Sequence, residues 1–210
     1  MGRGEPIFGF PTIVGQNGYD GKYDNYFSYD PEKAKELLAE AGYPDGFSCK
    51  LLSSSTYAMH EQTAVCVQSS LAEIGIKVEL ELPDWATRIE RSNVGDYDMM
   101  VSGTTGNIVD MDWATNYYES GDVRMNSCPG FADDKIDELL QKGRTTLDEK
   151  EREEIYDQFR ERALELSPFV FINFREQVFA TAKNVHGFQN LDGILTYLSG
   201  LTLQDTYVEE

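Results

Sequence analysis

From residue 29 onward, stretches with apolar residues at helical spacing alternate with stretches at strand spacing. The first helical stretch carries its own start and stop. Asp30 is placed to cap it, Pro31 suits the first helical position, Ala34, Leu37, Leu38 and Ala41 share one face, and Gly42 ends it before a Tyr-Pro-Asp-Gly turn. Residues 47–52 read as a strand. Residues 59–74 then read as a helix with Ala64, Val67, Leu71 and Ile74 on one face and Gly75 as terminator. Residues 76–82, Ile-Lys-Val-Glu-Leu-Glu-Leu, alternate strictly, which gives one wet face with charged gatekeepers and suits the edge of a sheet. Asp84 caps a helix through Arg91, residues 97–102 make a third strand, and a Gly/Thr-rich loop runs from Gly103 to Asp110.

Two stronger helices follow. Residues 134–144 turn Ile136, Leu139 and Leu140 inward. Residues 148–166 open on a capping box, Asp148 with Glu151, and carry Ile155, Phe159, Ala163 and Leu166 as the core stripe up to Pro168. Residues 169–174 and 178–181 are further strand candidates. The fold class is therefore α/β, with no internal repeat and no second domain. Residues 1–28, rich in Gly with scattered Tyr and Phe, read as an extended, surface-hugging segment leading into the main unit.

Composition narrows the function classes. The 210 residues suffice for one large core, and 40% hydrophobic residues argue against disorder. A net charge of -19 repels phosphates, so nucleic acid is excluded as a partner. Much of the acid sits on predicted helices, where solvated faces account for it. Cys49, Cys66 and Cys128 are widely spaced and odd in number, so neither a disulfide framework nor a zinc site is indicated, and no cofactor is implied. No apolar run is long enough to span a membrane, and the first residues lack a signal-peptide core.

Four phrases, in order, carry a resemblance: residues 29–47 with their Tyr-Asp-Pro-Glu-Lys-Ala opening, the Tyr-Asp-Met-Met-Val-Ser-Gly of 97–103, the aromatic-acidic start and Ile-Asp-Glu-Leu-Leu of 131–140, and Val-His-Gly-Phe at 185–188. Together they resemble the C-terminal lobe of the family 5 extracellular solute-binding proteins, the oligopeptide, dipeptide and nickel receptors of ABC importers. The resemblance implies a periplasmic-binding-protein type II lobe: a mixed sheet, its first three strands in spatial order 2-1-3, with helices on both faces. Residues 29–190 would be the ligand-binding lobe and 191–210 a tail returning toward an N-terminal lobe that this chain lacks. Met1-Gly2 is then an added start, and the leader of an extracytoplasmic protein would belong to the absent part.

In open α/β sheets, ligands bind beyond the carboxyl ends of strands where the order reverses. That points to residues 53–56, with Ser54 and Thr56, and to the loop holding Ser102, Thr104, Thr105 and Asn107. In peptide-binding relatives the loop after the third strand carries an Asp that receives the peptide's ammonium. Asn107 stands at that position, which weakens ammonium recognition by about 1–2 kcal/mol per bond. A sugar, a blocked peptide, or an amine held by Asp110 or Asp112 then competes as ligand. Trp85, Trp113 and Phe131 are candidate stacking surfaces.

The expected function is ligand capture between two lobes and delivery to a membrane permease, with no catalysis. Ile-Val-Asp-Met-Asp at 108–112 also resembles the nucleophile phrase of haloacid dehalogenase-type phosphatases, which would make Asp110 and Asp112 a metal-assisted pair. Ala114 departs from that pattern, and structural capping by the two aspartates is a third possibility. A non-transport sensory module built on the same lobe is the remaining alternative.

Overall fold

The computed structural model describes residues 4–11, 21–103, 110–174, 179–189 and 203–209. Three parallel strands form its central sheet: β2 (Ser48–Leu52) in the middle, β3 (Lys77–Glu81) on one side and β4 (Met99–Met100) on the other. The alternating strand therefore does lie on an edge of this ladder. Two short antiparallel ladders stand apart: β1 (Glu5–Pro6) with β5 (Asn173–Phe174), and β6 (Val185–His186) with β7 (Tyr207–Val208).

Helix α1 (Pro31–Glu40) forms where its caps demand, with Asp30 accepting from the backbone N–H of Lys33 at 2.9 Å. It buries no residue fully. Leu38 rests against the sheet cluster, while Leu37, expected inward, is 52% exposed. Helix α2 (Ala58–Ala72) packs along β3, and Ala64, Val67, Leu71 and Ile74 line up with Cys49, Leu51, Ile76 and Val78 in one core. The turn between them needs glycine. A Cβ on Gly46 would sit 2.1 Å from the Gly75 carbonyl oxygen, and both residues have positive φ. That close approach lets Phe47 accept from Lys77 and start the parallel ladder.

Helix α3 (Trp85–Val94) starts on Asp84, whose Oδ1 takes the N–H groups of Ala86 and Thr87. It runs past Arg91, to Val94. β4 is shorter than its apolar pattern suggested. The Asp98 side chain accepts from the Lys50 backbone N–H at 2.7 Å, filling a place where a strand carbonyl would otherwise bond.

The larger core belongs to the helices that follow. A 3-10 turn (Met111–Ala114) leads into the single-turn α4 (Thr115–Tyr118), and α5 (Asp134–Thr145) packs on α6 (Glu149–Leu166). Ile136, Leu139, Leu140, Ile155, Phe159 and Ala163 are buried there as expected. Leu166 is not: the stripe ends at Leu164, and the last turn overhangs the core before Ser167 adopts φ 47°. Asp148 caps the Glu151 N–H as predicted.

The leading segment is more than a surface strap. Phe10 (2% exposed) and Tyr23 are buried in this second core, Phe10 against Phe159 at 5.7 Å and Phe171 at 5.6 Å. Isolated aromatics without period gave no sign of this. Residues 179–181, part of the last strand expectation, form no strand, and 175–178 lie outside the described residues. Near the C-terminus, Tyr207–Val208 pair with Val185–His186 of this same chain. The three cysteines are free thiols.

Candidate functional site

Parallel strands deliver the loops that follow them to one end of the sheet. Here the loop after β2, the start of α2, the start of α3 and the residues after β4 meet. Their backbone is tightly tied. Ser53 donates to the His60 carbonyl at 3.0 Å, Ser54 to the Pro83 carbonyl at 3.2 Å, and the Trp85 N–H donates to Thr56 Oγ1 at 3.1 Å. Ser54 is thus fully buried and spends its hydroxyl hydrogen inside the fold. Its role is to hold the wall together. Thr56 is exposed, and its acceptor use leaves the hydroxyl hydrogen for a solute. Ser102 is also exposed and donates to Asn126 Oδ1 at 3.3 Å.

Trp85 is half-buried at this end and is the centre of an aromatic group. Tyr57 meets it edge-on at 5.0 Å and His60 at 5.6 Å, with Tyr57 exposed. A side chain on Gly103 would come within 3.9 Å of His60 Nε2, so the backbone after β4 runs beside this group. Beneath it lies Arg88. Its guanidinium sits 4.8 Å from the Trp85 ring and donates Nη2 to the Val101 carbonyl at 3.0 Å. Burial pushes its pKa down. Neither Tyr57 nor Arg88 stands out in the sequence. Tyr57, directly after the small polar loop of the first strand, was the available signal.

Thr104, Thr105 and Asn107 lie outside the described residues. The far end of their loop is anchored. Asp110 takes the Asp112 N–H at 2.8 Å and accepts two bonds from Arg152, at 2.6 and 2.7 Å. The Arg152 hydrogen bonds hold its carboxyl below the usual carboxylate range. Asp112 accepts from Arg144 Nε at 3.1 Å and from the Thr115 hydroxyl at 3.0 Å. Each carboxylate is therefore neutralised by an arginine of α5 or α6. A metal-assisted nucleophile pair would need these oxygens for the ion and the attacked phosphorus.

Trp113 and Phe131 also face the helical core. Trp113 packs against Tyr117 at 5.2 Å and Phe10 at 6.2 Å, and Phe131 against Tyr118 at 6.4 Å. Both are half-buried. The structure therefore brings Thr56, Trp85 and Ser102 to the strand ends and directs Trp113 and Phe131 elsewhere. Among the described residues no group of His, Cys, Asp and Glu is arranged to hold a metal ion.

A parallel sheet with an aromatic, hydrogen-bonding wall at its carboxyl end offers a small polar solute both a stacking surface and hydrogen-bond partners. Residues 1–126 match the family described as bacterial extracellular solute-binding proteins, family 5 (middle), and the chain belongs to that family. It is 29% identical over 166 residues to a dipeptide-binding protein of Pseudomonas aeruginosa, covering 77% of this chain and 31% of that protein. The structure of PBP AgaA from A. tumefaciens R10, solved with agropinic acid, is 52% identical with a TM-score of 0.87. It covers all of this chain and 43% of its own. The periplasmic binding protein DppA of Helicobacter pylori, solved with the peptide STSA, is 30% identical with a TM-score of 0.77, over all of this chain and 40% of DppA. The chain spans about a third of the length of the curated relatives it matches.

Proposed function

We propose that this chain is the C-terminal lobe of an extracytoplasmic receptor that captures a small polar solute and hands it to an ABC permease. The observation that carries this reading is the group of exposed Thr56, Tyr57 and Ser102 around half-buried Trp85 at the carboxyl end of a parallel sheet, in a chain of this family. The second-first-third order of the three parallel strands among the described residues supports a type II lobe. The ligand is held from two sides. One wall is supplied here, the other by an N-terminal lobe, and closure of the two around a hinge presents the loaded form to the permease.

No bond is broken in this function, and the arginine-paired Asp110 and Asp112 act as anchors of the loop. An export signal on the longer protein and a lipid or periplasmic location go with the family. For the solute, the two neighbours described above were solved with agropinic acid and with a peptide. Asn107 in place of a carboxylate disfavours a free ammonium, so the acid is the better first probe for this chain.

Calorimetry with agropinic acid and with a short peptide tests the reading. The chain alone is expected to bind at about millimolar strength or weaker, and the protein joined to its second lobe at least about 100-fold tighter, since a lone wall leaves half the ligand in water. Micromolar binding by the chain alone would overturn the two-lobe requirement. Failure of the two-lobe protein to bind either probe would remove the receptor reading as applied to these solutes.

A further inference from the structure

Arg88 is 1% exposed, yet among the described residues its five N–H groups make only one bond, from Nη2 to the Val101 carbonyl, and buried Nε has no partner there. No carboxylate of the described residues pairs with it. The other deeply buried arginine, Arg160, likewise has a buried Nε without a partner, but its charge is paired with Asp157. The six residues 104–109 that follow the Val101–Gly103 backbone include no acid either. A buried guanidinium keeps its charge because its pKa is far above neutral, and an unpaired buried charge is costly. A charged group left in this state beside a binding wall is a candidate for a functional role.

The position fits. Arg88 reaches the last residues of the central sheet on the carboxyl side, under Trp85 and beside the exposed Ser102. Elsewhere the chain is strongly acidic, with a net charge of -19, and that field opposes an anionic solute. Salt screens distant charges over about 8–10 Å, so a cation under the binding wall outweighs carboxylates on remote helix faces. Direct contact is not required. At separations of about 4–6 Å in a partly buried site the attraction is enough to decide between a charged and a neutral ligand.

We infer that Arg88 is the countercharge for a carboxylate-bearing solute, bound over Trp85 at the carboxyl end of the sheet, and so selects anionic over neutral ligands. This rests on the receptor reading above. It assigns a role to a residue that no motif marked, and it predicts the ligand's charge rather than its skeleton.

The test is an NMR titration of the 15N-labelled chain, which reads weak binding, with agropinic acid and its neutral methyl ester. The acid should shift the Arg88 Nε–H and Trp85 indole resonances and bind about 10-fold or more tightly than the ester. Arg88→Gln should abolish that acid-over-ester preference, and Arg88→Lys should keep most of it, which a packing role alone would not reproduce. Backbone spectra of each variant check that the fold is retained, and if Arg88→Gln unfolds, the acid-to-ester ratio of the wild type and of Arg88→Lys still decides the matter. Equal binding of acid and ester by the wild-type chain overturns the role of Arg88 and leaves the receptor reading standing. Binding of a C-terminally amidated peptide that carries no carboxylate, but of neither acid nor ester, also overturns it. No response to acid, ester or peptide at their solubility limits overturns both.

Discussion

Gly143 lies in the last turns of α5, buried against Tyr156 of α6, and replacing it with alanine sets two effects against each other. Helix propensity favours alanine by about 1 kcal/mol in a helix interior. Space opposes it. The new Cβ would lie 2.5 Å from Tyr156 Cζ, 2.7 Å from Cε1 and 2.9 Å from Oη. Carbon contacts settle near 3.5–4.0 Å, so the ring must give way by about 1 Å. A free tyrosine would simply swing aside, but this one is 3% exposed and is held through Arg152. That guanidinium sits 4.9 Å from the ring, donates to Tyr156 Oη at 3.2 Å and to the Gly143 carbonyl at 2.7 Å, and grips Asp110 with two further bonds.

Overpacking of this kind costs about 1–3 kcal/mol, so Gly143→Ala should lose up to about 2 kcal/mol net. At this chain length that lowers Tm by up to about 8 °C, readable by circular dichroism or scanning calorimetry. Tyr156→Leu removes the ring, and in that background Gly143→Ala should become neutral or stabilising. The reasoning is refuted if Gly143→Ala raises Tm in the wild-type chain, or if it costs the same in both backgrounds.

Two further outcomes follow from particular contacts. Asp110→Asn should destabilise by about 0.5–1 kcal/mol at neutral pH, a modest figure because both partners are partly solvated. The Asp110 carboxyl is held below its ordinary value by Arg152, so its contribution is fully present above the unfolded carboxyl's pKa of about 3.9 and is lost as pH falls through the lower folded value. Urea unfolding of both chains across acid pH measures the gap, and a gap that widens on acidification contradicts the pairing. Phe10→Ala should cost about 3–5 kcal/mol, because the ring is enclosed by Phe159, Phe171 and Tyr118. A urea midpoint close to the wild type's would mean that the leading segment is not part of the core.

Local order was written plainly in the chain. Asp30, Asp84 and Asp148 each precede a helix by one residue, and each accepts the N–H groups that an opening turn leaves unpaired. Buried faces of α2 and α5 repeat at helical spacing because one side of each meets a core, and the Lys-Val-Glu-Leu-Glu alternation of β3 records one dry and one wet face. Those signals depend on neighbours a few residues away, which a sequence displays directly. The end of the sheet at which the loops after β2 and β4 meet followed from the order of elements as well.

Long-range partners were not legible. Asp110 and Asp112 were open to reading as ligand groups or caps, with a nucleophile pair as the minor alternative, until Arg152 and Arg144, 42 and 32 residues further on, folded against them. Ser54 has the chemistry of a ligand contact, but the Pro83 carbonyl 29 residues away claims its hydroxyl. Phe10 and Trp113 each carry the same ring whether they line a cleft or fill a core, and only the packing of α5 and α6 settles which. Arg88 is the sharpest case. Nothing in Trp-Ala-Thr-Arg distinguishes a surface arginine from a buried one, because burial is a property of the surfaces that close over a side chain, and these come from β4 and α3 together.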